Sequence, residues 1–247
     1  MSLARRHREA TLAAQAAGTA APAGGAAPMP TEGPVASEYQ LLLAALGVDL
    51  NDLRNIESIE RKIEAKRGKI ERYRPWVEGA LSGAEVHGGA AQDEIVANIL
   101  VWAIDVADWP LAFDIARHVL AHGLALPERY SRKPATLIAE EFAEAGLKNP
   151  PGIGLAHLQA VAALVDDADI HDQVRAKLEK AIGLAFTAAA AAFDPEAESA
   201  PAGGKAALIA AALDHHRRAL SLDAKCGVKK LIEALEREAK NLPAGPA

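Results

Sequence analysis

Histidines and basic runs are the side chains here whose type and spacing could do chemistry. His215 and His216 are adjacent, and His118 and His122 lie four apart. Metal ligation needs converging donors. Neighbouring helical positions do not face each other, so His215 and His216 read as an exposed polar face. His118 and His122 share a helix face but have no third ligand nearby, and they also read as surface residues. His171 sits among Asp166, Asp167, Asp169 and Asp172. That cluster lacks the alternating oxygen ligands, central glycine and closing glutamate of a calcium loop. Helix capping and complementarity to the helix dipole account for it better. Cys226 stands alone beside Lys225 and reads as a small buried residue in a reducing compartment.

Phosphate-cradling loops are missing too. Gly68-Lys69 runs into Ile70 without the upstream glycine, and Gly204-Lys205 runs into Ala206. No GxGxxG, GxSxG, HExxH or CxxC pattern occurs. These gaps favour a binding or assembly component over an enzyme, with no metal and no cofactor.

Two basic groups remain, and both suit phosphate contact. Arg5, Arg6 and Arg8 open the chain. Arg61, Lys62, Lys66, Arg67 and Lys69 crowd one helical stretch of a protein whose net charge is −6. The other reading of that stretch is a solvated face laced with i,i+4 ion pairs of little net worth. Ile56, Ile63 and Ile70 fall seven apart on the same stretch, with Ile59 in the intermediate seam. This weak heptad suits either a subunit contact or packing within its own domain.

The elements that must position these groups are helical. Among the 247 residues alanine is abundant, and it is the strongest helix former. The expected fold is all-α, an array of antiparallel helical hairpins with a flexible N-terminal arm. Residues 1–34 form the basic arm, with one short helix over 2–17, and a linker; 35–150 form a helical domain, and 151–247 a C-terminal helical domain. The Ala-, Gly- and Pro-rich stretch at 18–34 cannot bury enough surface to order itself. A short helix is expected over 39–46, ending at Gly47. A second, capped by Asn51 or Asp52, runs to about Arg72. Trp76, Trp102 and Trp109 are the only tryptophans, and they cluster where two amphipathic helices meet at Asp108-Trp109-Pro110. Asp108 caps the second of these, Pro110 suits its first turn and Gly123 ends it. Pro134 opens a further helix with its stop at Gly146. The later helices span about 155–165, 172–192, 205–222 and 225–242. No apolar run approaches the length of a membrane span, so the reading is a soluble, cytoplasmic protein.

Several motifs carry a resemblance. They are Pro75-Trp76-Val77, the run from Gly89 to Ile95, Trp102, Asp105, Asp108, Ala116-Arg117 and the run from His122 to Pro127. Asp172 to Leu178, Leu220 to Asp223 and Cys226 to Lys230 extend it, with the basic opening from Ala4 to Arg8. Together they resemble the small terminase subunit of P-two-like tailed bacteriophages and prophages, over about residues 35–240. The chain departs from that pattern in its alanine- and proline-rich segments and in lacking a long basic C-terminal tail. The resemblance implies a non-catalytic DNA-packaging initiator in the cytoplasm of the bacterial host. Such a subunit binds the packaging site on concatemeric double-stranded viral DNA as a homo-oligomer, typically a ring. It then hands the DNA to the large terminase subunit, which hydrolyses ATP and cuts. A helical-hairpin adaptor that binds only protein is the alternative.

Overall fold

A computed structural model describes residues 2–18, 25–148, 153–194 and 204–242. It divides into two compact units, Met1–Pro134 and Ala135–Ala247. The described residues form ten helices and no strand, so the class is all-α. An isolated bridge between Ala27 and Ala91 is the nearest approach to a sheet.

The first unit holds α1 (Leu3–Ala17), α2 (Gly33–Arg54), α3 (Ile59–His87), α4 (Glu94–Asp105) and α5 (Trp109–Ala121). Its centre is aromatic. Trp76 and Trp102 are buried with Tyr39 and Tyr73. Tyr39 stacks on Trp76 at 5.7 Å, and Tyr73 meets Trp102 edge-on at 5.9 Å. The start of α5 follows the expected cap, and α4 starts on a carboxylate cap as well. The Asp93 carboxylate accepts from the Ile95 and Val96 amides, and the Asp108 carboxylate from that of Leu111. Gly123, at φ 65°, lies just past the end of α5.

Three expectations for this unit are overturned. Residues 3–17 are not a free arm: α1 packs on α3 with Leu12, Ala13, Ala16 and Ala17 buried. Small residues on both helices permit this close approach, which only glycine allows at Gly79 and Gly83. Residues 19–24 of the linker lie outside the described residues. Beyond them, Ala27 is pinned by its amide to the Ala90 carbonyl and by its carbonyl to the Gln92 amide. Second, α2 does not end at Gly47. That glycine is exposed, and Tyr39, Leu42, Leu46 and Leu53 keep a continuous buried stripe past it. Third, Asn51 and Asp52 lie inside α2. The chain breaks at 55–58, and Ser58 caps α3 by accepting from the Arg61 amide at 3.4 Å. Ile56 therefore precedes α3.

The second unit contains α6 (Pro134–Lys148), α7 (Leu155–Leu164), α8 (Asp172–Ala191), α9 (Gly204–Leu222) and α10 (Lys229–Asn241). Pro134 opens α6 as expected, but the helix continues through Gly146. A Cβ there would sit 2.8 Å from a Leu158 methyl and 3.2 Å from Ala181 Cβ, so glycine marks a close approach. Lys177 on α8 reaches Glu140 and Glu144 on α6, which ties α6 to this unit. The Asp166–Asp172 segment is held from α8. The Arg175 guanidinium donates to the carbonyls of Val165, Asp166 and Ala168, closing the open end of α7. The N-cap of α8 is His171, whose side chain makes no capping bond, while Asp172 stands in the first turn, where it complements the helix dipole.

Candidate nucleic-acid interface

The basic half of α3 lies alongside carboxylates contributed by other helices. Lys66 pairs with Asp105, and Lys69 with Asp49 and Asp52. Arg72 reaches Asp49 at 3.0 Å, and Arg74 reaches Asp108 at 2.8 Å. Arg67 takes Glu64 on its own helix at 2.6 Å. From Arg54 to Arg74 the sequence holds eight cations and four glutamates. The four aspartates that the fold adds bring this surface to formal neutrality. Arg61 and Lys62 keep no carboxylate partner among the described residues.

The N-terminal cations divide in the same way. Arg5 pairs with Glu9 at 2.8 Å, and Arg8 with Glu38 at 3.2 Å. Arg6 is exposed, with no carboxylate partner among the described residues. The expected DNA-contact residues are thus not gathered into one open cationic face. The seam of isoleucines also separates: Ile70 is buried, Ile59 is 74% exposed, and Ile56 and Ile63 are half-buried. Ile70 therefore belongs to the core of its own unit.

Asp49 is the hub of the lattice and was not foreseen. It is buried, and besides Lys69 and Arg72 it accepts from the Tyr73 hydroxyl at 2.6 Å. Burial, then this carboxylate, pushes the Tyr73 hydroxyl well above the ordinary tyrosine range. Truncating Asp49 to alanine strands the Tyr73 hydroxyl and takes one carboxylate from Lys69 and from Arg72. Lys69 keeps Asp52, and Arg72 is partly solvated, so the full cost of breaking a buried pair is not expected. A loss of about 2 kcal/mol in urea unfolding is expected instead. A change under a few tenths would mean the hub is ornamental.

The histidines depart from the surface reading. His216 is fully buried against Gly183, and neither ring nitrogen has a partner among the described residues. Burial first, then His215 and Lys180, push it down to about 4. His215 instead contacts Glu179 at 2.6 Å and stacks on Phe186. His118 is also buried, with its ring 4.9 Å from that of His122; burial and then His122 push it down to about 4. No group of three His, Cys, Asp or Glu side chains able to hold a metal occurs among the described residues. Cys226 is free and half-buried. No described helix is long and apolar enough to cross a membrane.

Helices tied together by buried aromatics and ion pairs define an all-α protein whose basic residues are mostly committed internally. The family described as phage small terminase subunit matches residues 43–173, from the middle of α2 to the start of α8. The chain is 36% identical over 211 residues to the "Terminase, endonuclease subunit" of Escherichia phage P2, covering 84% of this chain and 77% of that protein. It is 23% identical over 206 residues to the "Probable terminase, endonuclease subunit" of Haemophilus phage HP1, covering 80% and 69%. The chain belongs to the phage small terminase subunit family. Membership supports a role in phage DNA packaging. No solved structure matches significantly.

Proposed function

We propose that the chain is the DNA-recognition subunit of a phage terminase, working in the cytoplasm of the bacterial host. It binds the packaging (cohesive-end) site on concatemeric viral DNA and recruits the large ATPase-nuclease subunit. The family match carries this reading, because it spans the whole charge lattice of α3 and its partners. Arg6, Arg61 and Lys62 are the phosphate contacts, being the members of the original basic set left without carboxylates. A homo-oligomer, built as a ring, multiplies a weak contact per copy into useful avidity. Exposed Ile59, with Leu41 and Val48 on α2, supplies apolar surface for that assembly. Both relatives are named endonuclease subunits. In this reading the cutting belongs to the large subunit, and magnesium-dependent nicking by the purified chain alone would reverse that assignment.

Glutamate at Arg61 and Lys62, with Arg6 changed as well, tests the placement. Binding to long duplex DNA is expected to weaken about tenfold at low salt, with a shallower log–log salt slope. Unchanged affinity and slope would remove these residues from the interface. The adaptor reading is favoured by one observation, the neutralisation of Lys66, Lys69, Arg72 and Arg74 by aspartates. It requires that micromolar protein leave long duplex DNA unshifted at low salt.

A further inference from the structure

The second unit carries a cationic end of a different kind from α3. Between Arg217 and Lys230 the sequence holds five cations and one carboxylate, Asp223. Arg217 is paired with Glu236 at 2.7 Å. Arg218, Lys225, Lys229 and Lys230 are all exposed, and none has a carboxylate partner among the described residues. Asp223 is engaged locally, its carboxylate accepting from the Lys225 amide at 2.8 Å. On α3 the fold brings in aspartates to match the cations; at this turn it brings in none among the described residues.

The turn is also held in shape. Gly227, at φ 81°, allows the reversal between α9 and α10. The Lys180 ammonium donates to the Cys226 carbonyl at 2.8 Å, so a further positive charge underlies the loop. Lys229 and Lys230 form the first turn of α10, which has no acidic residue and no side-chain cap. Its uncapped amides and the positive end of its dipole add to the same field. Arg218 stands one helical turn back from the end of α9. The result is a held loop with exposed cations around it, which suits the regularly spaced phosphates of a duplex.

We propose that Arg218, Lys225, Lys229 and Lys230, gathered at the α9–α10 turn, form a second phosphodiester-binding surface for duplex DNA. This rests on the DNA-binding reading above and adds a contact in the unit that lacks Arg6, Arg61 and Lys62. Because the cations are exposed and unpaired, glutamine in their place leaves the core intact.

The test uses the full-length chain, long duplex DNA and a salt titration. The K225Q/K229Q/K230Q variant is expected to bind roughly tenfold or more weakly at low salt. Its salt slope should be shallower by about 2 to 3, since each lost phosphate contact removes close to one unit. A charge-matched control, K148Q/K205Q/K240Q, should bind like the unmodified protein. As a measurement free of mutation, Lys225, Lys229 and Lys230 should be protected from acylation in the DNA complex. Unmodified protein that binds DNA, with a triple variant of equal affinity and slope, overturns this surface alone. An equal loss in the control, or no protection of these lysines, does the same. Failure of the unmodified protein to bind DNA removes both this surface and the function proposed above.

Discussion

Leucine in place of Gly79 is expected to lever α1 away from α3 and to cost the first unit about 3 kcal/mol or more. A Cβ at Gly79 would lie 2.6 Å from the Ala10 Cα, and one at Gly83 would lie 2.5 Å from the Ala14 Cα. The atoms in the way are backbone, so no rotamer change relieves them. The two glycines are four residues apart and share one helix face, and the residues they meet on α1 are four apart as well. Even alanine at either position carries the clash. Gly68 on the same helix is the control, since nothing lies within 4 Å of a Cβ there. Alanine at Gly68 is expected to stabilise by roughly 0.5–1 kcal/mol through helix propensity alone. Urea unfolding reads the two opposite signs. Limited trypsin digestion reads the mechanism, because detached α1 would be cut rapidly at Arg5, Arg6 and Arg8. A G79L variant as stable and as trypsin-resistant as the unmodified protein would contradict the docking of α1.

That docking explains where sequence reasoning stops. The starts of α5 and α6 are legible because their signals are local: Asp108 as a cap, Pro110 and Pro134 in first turns. The helix of α1 is legible, but its docking on α3 is not. Its partners are glycines some seventy residues away, and an alanine face carries little pattern by itself. The Gly47 reading failed because an exposed glycine weakens a helix by only about 1 kcal/mol, which the buried leucines of α2 outweigh. The basic helix misled for the same reason of range. Its glutamates are visible three and four residues away, while Asp49, Asp105 and Asp108 arrive 20 to 39 residues distant in sequence. The open cations at the α9–α10 turn stand in plain sight in the sequence, but their freedom is a property of the fold. His216 was misread because its burial depends on the missing side chain of Gly183 on the neighbouring helix.

Asparagine in place of Asp93 is expected to give the first unit a pH dependence that the unmodified protein nearly lacks between pH 4 and 6.5. Asp93 is fully buried, and its carboxylate receives the Trp76 indole N–H at 2.7 Å besides the two α4 amides. Burial outweighs these donors and pushes it up to about 6 from 3.8. The folded form therefore binds more protons than the unfolded chain between about pH 4 and 6, and this contribution to stability falls as pH rises through that window. His118 works in reverse. Lowered from 6.5 to about 4, it leaves the unfolded chain binding more protons, so its contribution falls as pH drops through nearly the same window. Each shift corresponds to roughly 3 kcal/mol, and the two are opposed. With Asp93 neutralised, stability should drop by about that much from pH 6.5 to 4; with His118 changed to glutamine it should instead rise as pH falls from 6 to 4. Tryptophan fluorescence isolates the effect, because Trp76, Trp102 and Trp109 all lie in the first unit and His216 lies in the second. Asparagine keeps one acceptor for three donors, so an added loss of about 1–2 kcal/mol at every pH is expected and does not alter the slope. Unfolding midpoints of D93N that track the unmodified protein from pH 4 to 6.5 would show that the buried carboxylate does not titrate there. The packing of α4 against Trp76 would then have to be explained without a charge at its start.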